Sequence, residues 1–191
     1  MANLTPLGIS GAWIFKSPVH KDERGYFTEW FKGELFEDVI GKKFQLSQSN
    51  ISKSSKGVLR GIHFSVAKTG QAKWITCVNG SIWDVVIDIR PKSPTFKKWE
   101  SIQLDAGSGD SIYISEGLAH AFLALEDNTT ISYLLSSPYS PTEELAINPN
   151  DPEIAIKWPL EDLKISSKDA QAPSLAKTLD TLRKSPNFAQ D

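Results

Sequence analysis

The chain has 191 residues, of which 40% are apolar and 23% charged, as expected for one globular domain with a single substantial core. Its formal net charge of −2, without a long run of Lys and Arg, argues against a nucleic-acid-binding protein. A single cysteine excludes an intrachain disulfide framework. No stretch approaches the roughly 18 apolar residues of a membrane helix, and the first residues lack signal-peptide character. We therefore expect a cytoplasmic protein with neither nucleic-acid nor membrane partners.

Residues 1–43 are predicted to form an N-terminal arm and a short helix. A polar turn at 20–25 interrupts apolar and aromatic pieces, and Asp22 and Gly25 supply the turn chemistry of a hairpin. The segment 33–41, GELFEDVIG, has helical character and ends in a glycine that is typical of a helix C-terminus.

From Phe44 onward the hydrophobic pattern has a period of two. Short apolar runs alternate with turn residues as far as residue 137, and Asn79-Gly80 is a hairpin signal. This spacing predicts an all-β fold, an antiparallel jelly roll with its core in residues 44–137. In the run 81–90, alternation places Val85 on a core-facing side and Asp84 on a semi-polar side, as in a barrel with a ligand-lined interior.

Residues 138–191 are rich in proline and are predicted to wrap over the barrel as irregular structure. Pro173 opens a short helix in which leucines recur at 175, 179 and 182 on one stripe, and residues 185–191 are expected to be loose. The whole chain, 1–191, is thus predicted to be one domain, a jelly roll with a few short peripheral helices and an N-terminal arm.

The stretch 48–79 carries the clearest chemistry, because Arg60, His63 and Lys73 lie on two predicted strands joined by a polar loop. An anion binder, a proton acceptor and a cationic hydrogen-bond donor are the groups needed to hold a negatively charged substrate and move its protons. Structural alternatives remain, since a strand histidine is commonly a core residue and a lysine extends readily from a barrel rim. Tyr133 fits a proton donor and a core tyrosine equally well.

The spacing of Arg60 and His63 poses a geometric problem. Residues three apart on a regular strand point to opposite faces and do not line one cavity. Gly61 between them permits a bulge that re-aims one side chain. We therefore predict an irregularity at Gly61 or Ile62.

A metal site is the first alternative to acid–base chemistry. The segment 109–124 resembles the second conserved motif of cupins, and a metal there requires about three His or carboxylate ligands. The first cupin motif requires His-x-His followed by Glu, whereas this chain has His63-Phe64-Ser65, and the next glutamate after this segment is Glu100. The ligand set is incomplete, which predicts a cupin-like barrel without a metal.

Several motifs in order resemble the dTDP-4-dehydrorhamnose 3,5-epimerase family, the cupin-fold enzymes of dTDP-rhamnose biosynthesis. They are DERGYFTE (22–29), QSNISKSSKGVLRGIHF (48–64), QAKW (71–74), GSIWDVVIDIRPKSPTF (80–96), YISEGLAHAF (113–122), NDPEIAIKWP (150–159) and SSKDAQAP (166–173). The resemblance implies an isomerase that converts dTDP-4-dehydro-6-deoxy-D-glucose to dTDP-4-dehydro-L-rhamnose by inversion at C3 and C5. It also implies a homodimer and neither a metal nor an organic cofactor.

Carried over position by position, the resemblance implies that His63 is the catalytic base and that Asp169 supports it. Tyr133 is then the general acid, and Lys73 stabilises the enolate oxygen. Arms exchanged within the dimer would bring Arg24, Phe27 and Glu29 to the nucleotide in the neighbouring subunit. Further substrate-contacting positions are Gln48, Asn50, Arg60, His120, Tyr139, Glu144 and Lys168.

Some positions depart from the family pattern without removing a catalytic group. They are Ser65, Ser115, Leu118, Ala121 and Pro149. They leave open whether one or both carbons are inverted, so a 3- or 5-monoepimerase of an unusual deoxysugar pathway is an alternative. A non-catalytic nucleotide-sugar-binding cupin is an alternative from another class, and a metal-dependent cupin dioxygenase is the most distant one.

Overall fold

The computed structural model describes residues 1–185 and 188. The helices are α1 (Gly33–Ile40), α2 (Ser167–Ala170) and α3 (Leu175–Lys184). The strands are β1 (Asn3–Pro6), β2 (Ala12–Lys16), β3 (His20–Asp22), β4 (Gly25–Phe27), β5 (Gln48–Ser54), β6 (Val58–Ser65), β7 (Lys73–Asn79), β8 (Ser81–Asp88), β9 (Trp99–Asp105), β10 (Asp110–Ile114), β11 (Leu118–Ala124), β12 (Thr129–Leu135), β13 (Glu144–Ala146) and β14 (Lys164–Ile165). None of the helices among residues 1–185 and 188 has the length and apolar character that a bilayer-spanning segment requires.

Two sheets form the body of the molecule. The first sheet has the order β1-β2-β10-β7-β12-β5, and the second has the order β13-β6-β11-β8-β9, with β14 added in parallel to β6. Strands β3 and β4 form a separate two-stranded hairpin. The predicted all-β jelly roll is confirmed, and the apolar runs of period two correspond to β5 through β12.

The two sheets extend beyond the predicted core of residues 44–137. From the N-terminal segment, β2 pairs with β10, and from the C-terminal segment, β13 pairs with β6. Strand β2 has 5 residues and β13 has 3. Such short strands carry too little local pattern to be recognised, because their pairing depends on sheet edges that are distant in sequence.

An apolar cluster fills part of the space between the two sheets. Its members include Ile75, Cys77, Val86, Phe122 and Ile131. The Cys77 side chain is buried in this cluster as a small hydrophobic residue, and burial raises the pKa of its thiol to about 11. The thiol is therefore protonated and unreactive at neutral pH.

The outer faces of both sheets are covered by the segments that flank the central strands. On the second sheet, Val85 and Ile87 pack in one cluster with Leu175 and Leu182 of α3, so the predicted division of β8 into two faces is confirmed. On the first sheet, Phe36 of α1 packs against neighbours that include Trp74 and Tyr113. Helix α1 ends at Gly41, which has a φ of 79°, as the sequence predicted.

The predicted irregularity in β6 is confirmed at Gly61. On β11, His120 pairs with His63 and Phe122 with Arg60, so three steps along β6 match two along β11. Gly61 has a φ of 132°, and a Cβ atom there would lie 2.4 Å from the Cβ of Ala121. Only glycine fits this bulge, which allows Arg60 and His63 to face the same side of the sheet.

The N-terminal arm contains the predicted hairpin, formed by β3 and β4. Tyr26 and Phe27 at its second strand are 52% and 65% exposed. Trp30 differs, because it packs with the cluster around α1 and its carbonyl accepts a hydrogen bond from the indole of Trp74 at 2.8 Å. At the other end of the chain, the prediction of a loose tail over residues 185–191 is wrong at Ser185 and Phe188, because both are buried and the Phe188 ring packs against Phe64. The rest of the tail, residues 186, 187 and 189–191, lies outside the described residues.

Candidate active site

A cavity of about 420 Å³ opens between the two sheets. Its walls come from β5, β7 and β12 of the first sheet and from β6, β11 and β13 of the second. The lining residues are Gln48, Asn50, Ile51, Ser52, Arg60, His63, Gln71, Lys73, Ile75, His120, Phe122, Ile131, Tyr133, Leu135, Tyr139, Glu144 and Lys168. Ten of the side chains that the sequence singled out thus share one cavity: Gln48, Asn50, Arg60, His63, Lys73, His120, Tyr133, Tyr139, Glu144 and Lys168.

His63 and Asp169 form a hydrogen-bonded pair at the edge of this cavity. The imidazole Nε2 lies 2.7 Å from Oδ1 of Asp169, which is buried on α2 behind the histidine. Burial raises the pKa of the Asp169 carboxyl, but the hydrogen bond and charge of His63, with a further hydrogen bond from Ser166, outweigh burial and lower it. The carboxylate thus fixes the ring, and Nδ1 remains to accept a proton.

Lys73 places a buried cation in the wall of the cavity. Only 7% of the residue is exposed, and Nζ lies 2.7 Å from Oε1 of Gln71 and 3.7 Å from Oε1 of Glu144. Burial lowers the pKa of the ammonium, while the nearby negative charge of Glu144 acts in the opposite direction. A developing negative charge on a bound ligand would find this cation already in place.

Tyr133 and His63 stand on opposite walls of the cavity. Tyr133 lies on β12 of the first sheet, and His63 lies on β6 of the second. Burial raises the pKa of the Tyr133 phenol, and the hydrogen bond with the Asn50 side chain only partly offsets the effect. The phenol is therefore protonated at neutral pH and able to donate from the side opposite the imidazole.

Polar groups at the mouth are held by short contacts to neighbouring strands. The Arg60 guanidinium donates to Ser54 Oγ at 3.1 Å and to the Lys53 carbonyl at 3.3 Å. The Gln48 side chain donates to Asn50 Oδ1 at 2.9 Å and accepts from the Tyr139 backbone N–H at 2.9 Å. These contacts hold an arginine and polar amides at the mouth of the cavity.

A second histidine–aspartate pair lies deeper in the barrel. His120 Nε2 is 2.8 Å from Oδ2 of Asp84, and both residues are buried. The sequence assigned no role to Asp84, although strand alternation placed it on the interior side. Gln71 was also missed as a site residue, and its position two residues before Lys73 in the QAKW motif was the available signal.

The structure does not bring every predicted residue to the cavity of its own chain. Arg24, Phe27 and Glu29 are outside its lining, and Arg24 pairs instead with Asp22 within the hairpin. Their predicted contribution to a neighbouring subunit's site is not tested by a single chain. It stays a prediction.

A metal site would need several His, Cys, Asp or Glu side chains grouped within residues 1–185 and 188, the part of the chain that the structure describes. Within that part of the chain, no group of three or more His, Cys, Asp and Glu side chains is arranged to hold a metal ion. The predicted absence of a cofactor stays a prediction.

Comparison with known proteins identifies close relatives of this chain. A family model described as dTDP-4-dehydrorhamnose 3,5-epimerase matches residues 6–177. The dTDP-4-dehydrorhamnose 3,5-epimerase of Mycolicibacterium smegmatis is 49% identical over 171 residues, which cover 89% of this chain and 84% of that protein.

Solved structures show the same similarity along nearly the whole chain. NovW of Streptomyces spheroides, a 4-keto-6-deoxy sugar epimerase, has a TM-score of 0.94 and 42% identity, covering 99% of this chain and 94% of its own. ChmJ of Streptomyces bikiniensis, a 3'-monoepimerase in complex with dTDP-quinovose, has a TM-score of 0.88 and 43% identity, covering 93% and 90%. Relatives of similar identity therefore include enzymes named as double and as single epimerases.

Proposed function

The chain belongs to the dTDP-4-dehydrorhamnose 3,5-epimerase family and is an isomerase, and on that premise we propose that it inverts both C3 and C5 of dTDP-4-dehydro-6-deoxy-D-glucose. The product of this double inversion is dTDP-4-dehydro-L-rhamnose. The observation that carries the proposal is the placement of the His63–Asp169 pair and Tyr133 on opposing walls of one cavity that also contains the Lys73 ammonium.

The chemistry follows from the ketone at C4 of the hexose, which acidifies the hydrogens on C3 and C5. His63 takes the proton from one of these carbons, and the electrons of the broken C–H bond move to an enolate whose oxygen faces Lys73. Tyr133 then donates its phenolic proton to the same carbon from the opposite side, which inverts the centre. Exchange with solvent returns a proton to the phenolate and removes one from the imidazolium.

The remaining cavity residues suit a nucleotide-linked sugar. The guanidinium of Arg60 lines the cavity and suits a diphosphate, because a guanidinium can make paired hydrogen bonds to phosphate oxygens. The complex of ChmJ with dTDP-quinovose shows that a relative with 43% identity binds a dTDP-sugar. The proposed substrate-contacting residues are Gln48, Asn50, Arg60, His120, Tyr139, Glu144 and Lys168.

Hydrogen exchange with solvent tests the proposed reaction directly. The enzyme is incubated in D2O with the 4-keto sugar nucleotide, and the label is located by NMR and mass spectrometry. We expect deuterium at both C3 and C5. Label at one carbon identifies a monoepimerase like ChmJ, and no label at either carbon identifies a binding protein and overturns the proposal.

Replacing Tyr133 by phenylalanine is expected to uncouple exchange from inversion. His63 can still remove a proton and return a deuteron to the same face, so the recovered substrate becomes labelled. The yield of inverted product is expected to fall about 10²-fold or more, because the donor on the opposite wall is missing.

The matched control for this variant is Tyr113→Phe. Tyr113 lies on β10 of the same sheet but packs in the cluster around α1, so loss of its hydroxyl is expected to leave inversion unchanged. An inversion rate in Tyr133→Phe equal to that of the parent would remove Tyr133 from the role of acid.

We also propose a homodimer in which each arm completes the partner's cavity. The exposed aromatic side chains of the hairpin and the position of Arg24, Phe27 and Glu29 outside their own cavity support this arrangement. The arm would then supply a guanidinium, an aromatic ring and a carboxylate to the nucleotide end of the neighbouring site.

Complementation between two impaired variants tests the arm exchange. Arg24→Ala and His63→Ala are purified with different tags, mixed in equal amounts under conditions of subunit exchange, and assayed. Each heterodimer then contains one site with both Arg24 and His63, so activity is expected to recover to roughly a quarter of the parent value. If the arm serves its own chain, or if the enzyme is a monomer, mixing restores nothing.

A further inference from the structure

Gln71 is a buried amide that the proposed chemistry does not use. It is 5% exposed, lines the cavity and makes two side-chain hydrogen bonds. Its Nε2 donates to the Ser137 carbonyl at 3.3 Å, and its Oε1 accepts from Lys73 Nζ at 2.7 Å. A buried amide with both ends engaged has one defined orientation.

The chemistry of the two partners determines which way this amide faces. An ammonium only donates, and a backbone carbonyl only accepts, so the amide oxygen must face Lys73 and the amide nitrogen must face Ser137. The backbone beside the amide is also anchored. Ala72 N–H donates to Ser136 Oγ at 2.7 Å, and Ser136 N–H donates to the Ala72 carbonyl at 3.0 Å. The oxygen of Gln71 is therefore held in place by the chain that follows β12.

This fixed acceptor governs the direction of the Lys73 ammonium. The contact to Gln71 is within hydrogen-bond distance, whereas the 3.7 Å separation from Glu144 is longer than a hydrogen bond. One of the three N–H bonds is thus committed to Gln71, and the other two are free to turn into the cavity. Because Gln71 is neutral, it holds the ammonium without cancelling its charge. A carboxylate in direct contact would cancel that charge.

We propose that Gln71 is a positioning residue of the epimerase, which aims the Lys73 ammonium at the C4 oxygen of the substrate and keeps it protonated. The inference rests on the proposed function and extends it to a residue outside the catalytic set. The charged and titratable groups that share the cavity with Lys73 are Arg60 and His63 of β6, His120 of β11, Tyr133 of β12, Tyr139 after β12, Glu144 of β13 and Lys168 of α2.

The test compares Gln71→Met with the parent enzyme by steady-state kinetics over a pH series. Methionine keeps the length of the side chain but lacks the amide, so kcat is expected to fall about 10- to 100-fold, with a small change in KM. The alkaline limb of the kcat profile is expected to move to lower pH. The reason is that an ammonium without its acceptor loses its proton more readily, in a site where burial already lowers the pKa of Lys73.

A second variant, Gln71→Glu, is expected to shift the alkaline limb of the kcat profile in the opposite direction. It tests the role of Gln71 even if the Gln71→Met variant does not fold. Its carboxylate keeps an acceptor near Lys73 and adds negative charge, so the alkaline limb is expected to move to higher pH than in the parent. Gln103→Leu is the matched control, because Gln103 is exposed on β9 outside the cavity, and its profile is expected to match the parent's.

Two outcomes overturn the role of Gln71. One is a Gln71→Met profile that coincides with the parent's in both kcat and alkaline limb, and the other is a Gln71→Glu limb that moves to lower pH. Failure of the proposed function is a separate result, since the parent enzyme then incorporates no deuterium from D2O into the 4-keto sugar.

Discussion

Replacing His63 by alanine is expected to lower kcat by about 10²- to 10⁴-fold and to prevent deuterium incorporation at both C3 and C5. The expectation follows from the geometry, because the His63 imidazole lines the cavity on the wall opposite Tyr133 and is held by the buried Asp169 carboxylate at 2.7 Å. Without a base the C–H bond is not broken, so exchange is lost together with inversion. This distinguishes the variant from Tyr133→Phe, in which exchange persists.

Asp169→Asn is expected to have a smaller effect than His63→Ala in the same exchange measurement. An amide in place of the carboxylate stabilises the wrong imidazole tautomer, so exchange is expected to be slowed rather than abolished. Circular dichroism checks that both variants are folded. Turnover at the parent rate in His63→Ala contradicts the assignment of the base, and unchanged kinetics in Asp169→Asn removes Asp169 from the pair.

The contribution of the His63–Asp169 pair to the stability of the fold changes with pH in a defined direction. His63 and Ser166 outweigh burial and lower the pKa of Asp169 in the folded protein, so its carboxylate stays ionised below the usual value of about 3.9. Its contribution to stability is present above the unfolded-state pKa and is lost as the pH falls through the lower folded-state pKa. The pair therefore stays intact through the mildly acidic range.

The central strands could be predicted because their pattern is local. The runs that became β5 to β12 alternate with a period of two and are bounded by turn residues. The flanking strands β1, β2, β13 and β14 were not recognised, because each is short and is defined by a distant partner. Helix α1 was recognised from its apolar pattern and from the glycine that ends it.

Within the site, the bulge at Gly61 could be predicted from the sequence, whereas the contacts of Asp84 and Gln71 could not. The irregularity at Gly61 could be predicted, since Arg60 and His63 had to face one cavity and glycine was the residue able to bend the strand between them. The contact of Asp84 with His120 depends on the pairing of β8 with β11, which no local pattern specifies. The orientation of Gln71 depends in the same way on the segment after β12.

Lys73→Met is the second variant with a large expected effect. Methionine keeps the unbranched apolar stem but removes the cation that we propose faces the C4 oxygen, so kcat is expected to fall about 10²- to 10³-fold. The loss should affect proton exchange and inversion equally, because both pass through the enolate. Single-turnover exchange measurements in D2O separate this effect from a change in substrate binding.

Removing the cation has a second consequence, because it leaves Glu144 in the cavity without the ammonium 3.7 Å away. A partly buried carboxylate that loses its counter-charge destabilises the fold, so a loss of activity in Lys73→Met alone has two explanations. The double variant Lys73→Met/Glu144→Gln removes both charges and is expected to recover thermal stability while exchange stays low. The exposed Lys157 supplies the matched control, as Lys157→Met removes a lysine outside the cavity. If exchange returns with stability in the double variant, the cation is structural and the enolate is stabilised by another group.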